Sequence, residues 1–180
     1  MKDEKYFKDH IVTIPNFPKE GIMFRDITPS IENHEVFIEA INALKEIAEQ
    51  YDFNRIICAD ARGFFYGAAL SYAMKKDLIL ARKPSKLPRP GISYSYDLEY
   101  GRNTLEVTEG SIKEGDKVLV VDDLLATGGS ALAMMHLVKM SKAQPVAALF
   151  HIELPDLKGT SNIQKEFNVP VHSLIKFEGE

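Results

Sequence analysis

Residues 118–130 read VLVVDDLLATGGS: a run of apolar, largely β-branched residues, then two adjacent acids, then a turn of small side chains. A continuous apolar run of this length suits a strand covered on both faces, the kind that a parallel sheet supplies. Beyond the turn, apolar residues return at helical spacing, so the segment predicts a strand over 117–121, a loop and a helix over 128–141. A chain built around such a unit is an α/β protein.

The flanking sequence extends the pattern. Phe37, Ile41, Leu44, Ile47 and Ala48 recur on one face of a predicted helix over 34–50. RIICA at 55–59 and LILAR at 78–82 read as strands around a helix that starts near Gly63, which makes a βαβ unit. Strands over 145–152 and 169–176, with a helix over 161–167 between them, complete a mostly parallel twisted sheet with helices on both faces. KPSKLPRPG at 83–91 has three prolines and a glycine among basic residues, so it is a loop. Alternation over 92–97 and 104–108 predicts a hairpin with a polar, Tyr-rich, flexible tip that can act as a lid.

Bulk properties narrow the class. The chain has 180 residues, enough for one domain over 1–180 and short for two at roughly 100–200 residues each. A net charge of −4 gives a nucleic-acid surface little support, and no apolar run approaches the ~20 residues of a membrane helix. The lone Cys58 cannot form an internal disulfide and suits a reducing, cytoplasmic setting. It reads as a packed core thiol. The five histidines are scattered without zinc-ligand spacing, and Met134, Met135, Leu137, Val138 and Met140 read as the packing side of their helix.

Chemistry concentrates at the central segment. Ligands of open α/β sheets sit beyond the carboxyl ends of the strands, and Asp122 and Asp123 fall where the 117–121 strand is expected to end. Two ionised carboxylates there suit vicinal hydroxyls of a ribose, each a hydrogen-bond donor. Ala126, Thr127, Gly128, Gly129 and Ser130 let backbone N–H groups converge on one anion at a helix N-terminus, with the Thr127 and Ser130 hydroxyls as further donors. The anion is expected to be a phosphate. The P-loop and the dinucleotide fingerprint are both excluded, since no lysine follows the glycines and G-x-G-x-x-G is absent. In DARG at 60–63, Arg62 sits in a glycine-flanked turn after a strand, where its planar fork would suit pyrophosphate oxygens.

The 118–130 segment strongly resembles the phosphoribosyl diphosphate motif of the type I phosphoribosyltransferase family. Taken with FPKEGIMFRDITP, DARGF, RKPSKLP and YDLEYG, the chain resembles the adenine-specific branch of that family over nearly its whole length. That resemblance implies a transfer of the 5-phosphoribosyl group from 5-phosphoribosyl 1-diphosphate to adenine, with Mg2+ held mainly by the substrate, in a homodimer. By the same resemblance, Met23, Phe24 and Arg25, within a base-pocket segment over about 1–30, form the adenine site with the Phe24 ring stacked on the base. Asp122 and Asp123 hold the ribose, residues 126–130 wrap the phosphate, and Arg62 with Lys83 or Lys86 binds pyrophosphate. Glu99 and Tyr100, in the loop and lid region over 83–108, lie over the reacting centre, Glu99 as the acid/base group. Ser130 stands where many relatives have Thr, and Ser85 where Gly is common. The alternatives are an enzyme for 6-oxopurines, with the same phosphate site, and a non-catalytic sensor of the diphosphate sugar.

If Glu99 moves protons at the purine, Glu99→Gln and Glu99→Ala should lower turnover more than substrate binding; steady-state kinetics with unchanged turnover would remove it from the mechanism.

Overall fold

In the computed structural model, which describes residues 2–98 and 101–179, the chain begins with a short helix α1 (Glu4–Lys8) and an antiparallel pair, β1 (Val12–Pro15) and β2 (Met23–Asp26). Helices α2 (Thr28–Glu32) and α3 (His34–Ala48) lead into β3 (Arg55–Ala59), α4 (Gly63–Met74) and β4 (Asp77–Ala81). A hairpin, β5 (Gly91–Leu98) and β6 (Gly101–Thr108), precedes β7 (Lys117–Leu125), α5 (Gly129–Met140), β8 (Gln144–Glu153), α6 (Gly159–Phe167) and β9 (Val171–Lys176). The five parallel strands run in the order β4-β3-β7-β8-β9, with β7 at the centre.

Alternation along the strands divides the core. On β7, Val118 and Val120 face the cluster built with α5 and the hairpin, while Leu119 and Val121 face the cluster built with α1, α3 and α4. Each face is thereby closed by apolar helices, as the unbroken run at 118–121 requires. Cys58 lies fully buried in β3, and burial pushes its thiol up to about 12, so it is an inert core residue.

Three departures from the sequence reading have local causes. First, β7 does not stop at Val121: Leu124 and Leu125 stay in register with Ile152 and Glu153 of β8, so both acids lie inside the strand. Second, Met140 is 54% exposed because α5 ends there, whereas Met134, Met135, Leu137 and Val138 are buried. Third, α1 forms within a charged segment because Asp3 caps the Tyr6 amide at 2.8 Å and Phe7 supplies a single buried anchor. The hairpin, in contrast, forms where alternation places it, with longer strands.

Phe7 packs edge-on to His151, which is stacked 5.1 Å from Tyr66. The His151 ring is fully buried and neither nitrogen has a hydrogen-bond partner among the described residues. Burial depresses its pKa to about 4. Between pH 6.5 and 4 the unfolded chain therefore takes up a proton that the folded chain refuses, and stability falls with pH across that window. Urea unfolding should show an acid loss on the order of 3 kcal/mol from this group. A His151→Leu variant should lose that part of the slope; parallel pH profiles for the two proteins would contradict it.

Candidate active site

The site forms where β7 outruns its neighbour. Pairing of β3 with β7 ends at Cys58 and Val121, so Asp122 and Asp123 extend past β3 on one side while β8 still holds them on the other. A crevice at the carboxyl end of the sheet results. After β3 the chain turns through Asp60 and Arg62 into α4, and the Asp60–Ala61 peptide is cis. A Cβ at Gly63 would run into the Asp122 carboxylate, so only glycine permits this turn to lie against β7.

Both carboxylates are buried, and both pKa values are raised: burial dominates for each, and the Asp123 charge raises Asp122 further. Asp122 Oδ1 accepts from the Asp123 amide at 2.9 Å. Arg62 Nε lies 2.9 Å from Asp123 Oδ2 and offsets part of the burial cost, but no described group donates to that oxygen in hydrogen-bond geometry. An acceptor that is buried, charged and without a donor is what a ribose hydroxyl would satisfy.

The loop that follows ends at an uncapped helix N-terminus. Gly128 has φ +90°, a left-handed conformation that places it as the N-cap of α5, and no side chain caps that helix end. Asn162 Nδ2 donates to the Thr127 carbonyl at 2.9 Å, which fixes the loop from α6. Ser130 Oγ is 3.0 Å from the Tyr96 hydroxyl.

Two adjoining cavities meet here. One, of about 550 Å³, is lined by Arg62, Lys83, Asp122, Asp123 and residues 126–130, together with Tyr96 and Asn103. The other, of about 380 Å³, is lined by Met23, Phe24 and Arg25 with the apolar Leu124, Leu154 and Leu157. Phe24 and Arg62 border both. The Arg62 guanidinium sits 5.5 Å from the Phe24 ring centre, and Phe17 meets Phe24 edge-on at 5.1 Å. A largely apolar chamber thus adjoins a polar one lined by the two carboxylates.

Of the residues singled out in the sequence, Met23, Phe24, Arg25, Arg62, Lys83, Asp122, Asp123, Ala126, Thr127, Gly128, Gly129 and Ser130 converge on these two cavities. The Arg25 side chain is engaged at Thr13 and Phe177, donating to Thr13 Oγ1 at 2.5 Å and lying 4.4 Å from the Phe177 ring centre. Lys86 does not join them. Pro84 and Ser85 turn the chain, with Ser85 itself at φ +66°, and Lys86 beyond the turn is exposed and lines neither cavity. Glu99 and Tyr100 lie outside the described residues. Tyr96, Asn103 and Asn162 escaped the sequence reading. They lie in an alternating hairpin and an amphipathic helix, where no local pattern marks them.

A phosphoribosyl transferase domain model matches residues 30–171. An adenine phosphoribosyltransferase of Pseudoalteromonas atlantica is 45% identical over 175 residues, covering 97% of this chain and 98% of that one. The crystal structure of an adenine phosphoribosyltransferase from Thermoanaerobacter pseudethanolicus superposes with a TM-score of 0.92 at 39% identity, over 96% of this chain and 99% of that one. The Saccharomyces cerevisiae enzyme, in complex with an imino-altritol bisphosphate and adenine, superposes at 0.86 with 34% identity, over 95% and 97%. The chain belongs to the phosphoribosyltransferase family and, within it, to the adenine phosphoribosyltransferases.

Because burial and mutual repulsion raise the pKa of Asp122, the carboxylate destabilises the empty site at neutral pH. Asp122→Asn keeps an acceptor for the Asp123 amide and removes the charge. It should raise Tm in phosphate-free buffer, at roughly 2–4 °C per kcal/mol for a chain of this size, while weakening ribose 5-phosphate binding at least about tenfold. Thermal melts and calorimetry would show both; a lowered Tm would contradict the assignment.

Proposed function

We propose that the chain transfers the 5-phosphoribosyl group of 5-phosphoribosyl 1-diphosphate to N9 of adenine, giving AMP and pyrophosphate. The observation that carries this reading is the apolar chamber beside Phe24 adjoining, through shared Phe24, Arg62, Leu124 and Ala126, the cavity lined by the two carboxylates and residues 126–130. The yeast relative's complex with adenine and a bisphosphate supports it. The 6-oxopurine alternative finds no such relative among those described above.

In this reading Phe24 stacks on the base, and backbone groups of Met23 and Arg25 select its amino edge. Asp122 and Asp123 accept from the ribose hydroxyls, and residues 126–130 bind the 5-phosphate through backbone N–H groups and the Thr127 and Ser130 hydroxyls. Arg62 moves from Asp123 toward the leaving pyrophosphate, where Lys83 joins it. As the glycosidic bond breaks, positive charge grows on the ribose, and the two carboxylates beneath it stabilise that charge. Glu99 then assists proton transfer at the purine, and Tyr100 helps cover the reacting centre.

The residues also fit Mg2+. Two adjacent carboxylates floor the polar cavity, and the described residues contain no group of three or more His, Cys, Asp or Glu that would cage an ion alone. Such a site suits a magnesium ion that takes most of its ligands from the substrate and would neutralise the diphosphate as it leaves.

The remaining features are part of the same proposal. One domain spans 1–180, with residues before the matched 30–171 region contributing the base pocket. We assign homodimer formation to the exposed apolar stripe Phe65, Ala68 and Tyr72 on α4, the last of these 90% exposed. A free buried thiol suits the cytoplasm. The substrates are small molecules and no nucleic acid takes part; no described helix is long and apolar enough to cross a membrane.

Purified protein with Mg2+ and the diphosphate donor should convert adenine to AMP and leave hypoxanthine, guanine and xanthine unconverted. Conversion of hypoxanthine but not adenine would overturn the specificity, and no turnover together with a DNA shift at physiological salt would favour the sensor.

A further inference from the structure

The hairpin lies along α5, and its Tyr side chains do different work. Tyr94 stacks on His136 with ring centres 4.1 Å apart and planes within 9°, and His136 in turn contacts Glu166 of α6 at 2.5 Å. Across the hairpin Ser95 and Thr104 share a hydroxyl hydrogen bond of 2.8 Å. These contacts fix the base of the hairpin. Tyr96, one alternation further on the same face, reaches the phosphate loop itself.

Its ring rests directly on Gly129: a Cβ placed there would stand 2.7 Å from the ring. Its hydroxyl meets Ser130 Oγ at 3.0 Å. Tyr96 is also a shared wall, lining the cavity that holds the carboxylates and two others of about 640 and 350 Å³.

A serine hydroxyl has one proton to donate and two lone pairs to accept with. If Ser130 donates to Tyr96, it has no proton for a phosphate. If Tyr96 donates to Ser130, the Ser130 proton is directed elsewhere, and the loop beside it is where an anion binds. A phosphate dianion offers acceptors alone, so it selects the second arrangement, in which each hydrogen bond polarises the next. We propose that Tyr96 is a positioning residue for the 5-phosphate: its hydroxyl orients Ser130 Oγ–H toward the phosphate, and its ring shields the first turn of α5 from water. The inference rests on the reading of residues 126–130 as the phosphate cradle.

The test is a double-mutant cycle on Tyr96→Phe and Ser130→Ala. Steady-state KM is measured for the diphosphate donor and for adenine, together with ribose 5-phosphate affinity by calorimetry. Tyr96→Phe keeps the ring on Gly129, so its Tm should match that of the parent. It should raise the donor KM and the ribose 5-phosphate Kd about fivefold, the worth of one net hydrogen bond, with kcat and adenine KM unchanged. Ser130→Ala should do at least as much, and the double variant should be no worse than Ser130→Ala alone. Additive effects, or a Tyr96→Phe variant whose donor KM does not move while Ser130→Ala raises it, would overturn the Tyr96 role and leave the phosphate cradle standing. Equal losses in kcat and in both KM values would assign Tyr96 to general lid structure and also overturn it. If Ser130→Ala leaves donor and ribose 5-phosphate binding unchanged, the cradle reading fails and the inference falls with it.

Discussion

Asp122 and Asp123 occupy a stretch of β7 that is paired with β8 on one edge and has run past the end of β3 on the other. Neighbouring carboxylates in that position repel each other, and burial opposes the charge on both. Several features follow from keeping them there. Gly63 lets the turn from β3 into α4 lie against Asp122, and that turn presents Arg62 to Asp123. The residual cost is borne by the well-packed sheet beneath, where Val118 to Val121 are fully buried.

The base chamber depends on a different part of the chain. Phe24 belongs to a two-stranded pair distant in sequence from β7, and it reaches the site because Ile11 and Ile27, side by side at the open end of that pair, are buried in the core cluster with α3 and α4. Burial of these anchors fixes the pair, whose β1 strand is mostly exposed and whose β2 strand is half-buried, beside the crevice. The chamber and the polar cavity share Phe24, Arg62, Leu124 and Ala126, and Arg62 lies between the Phe24 ring and the Asp123 carboxylate.

The hairpin adds a third constraint. A lid that closed from its root would have to unstack Tyr94 from His136 and lift Tyr96 from Gly129. The apolar alternation that identified the hairpin could not convey this, because the partner of each tyrosine lies on α5.

Local pattern was enough to determine the α/β class, the parallel core strands, the small-residue loop after β7 and the helix that follows it. Each of these is written in a short window, as an apolar run, a helical period or a cluster of small residues. Resemblance across the motifs then gave the chemistry. Tertiary structure alone decided that β7 continues to Leu125, since the pairing of Leu124 with Ile152 is a contact between segments far apart in sequence. It also decided that Lys83 joins the site and Lys86 does not, because a left-handed Ser85 turns the loop between them. The same holds for Tyr96 on Ser130 and Asn162 on Thr127. A hydrogen bond across such separations leaves no period in the sequence, so only the packed fold could reveal it.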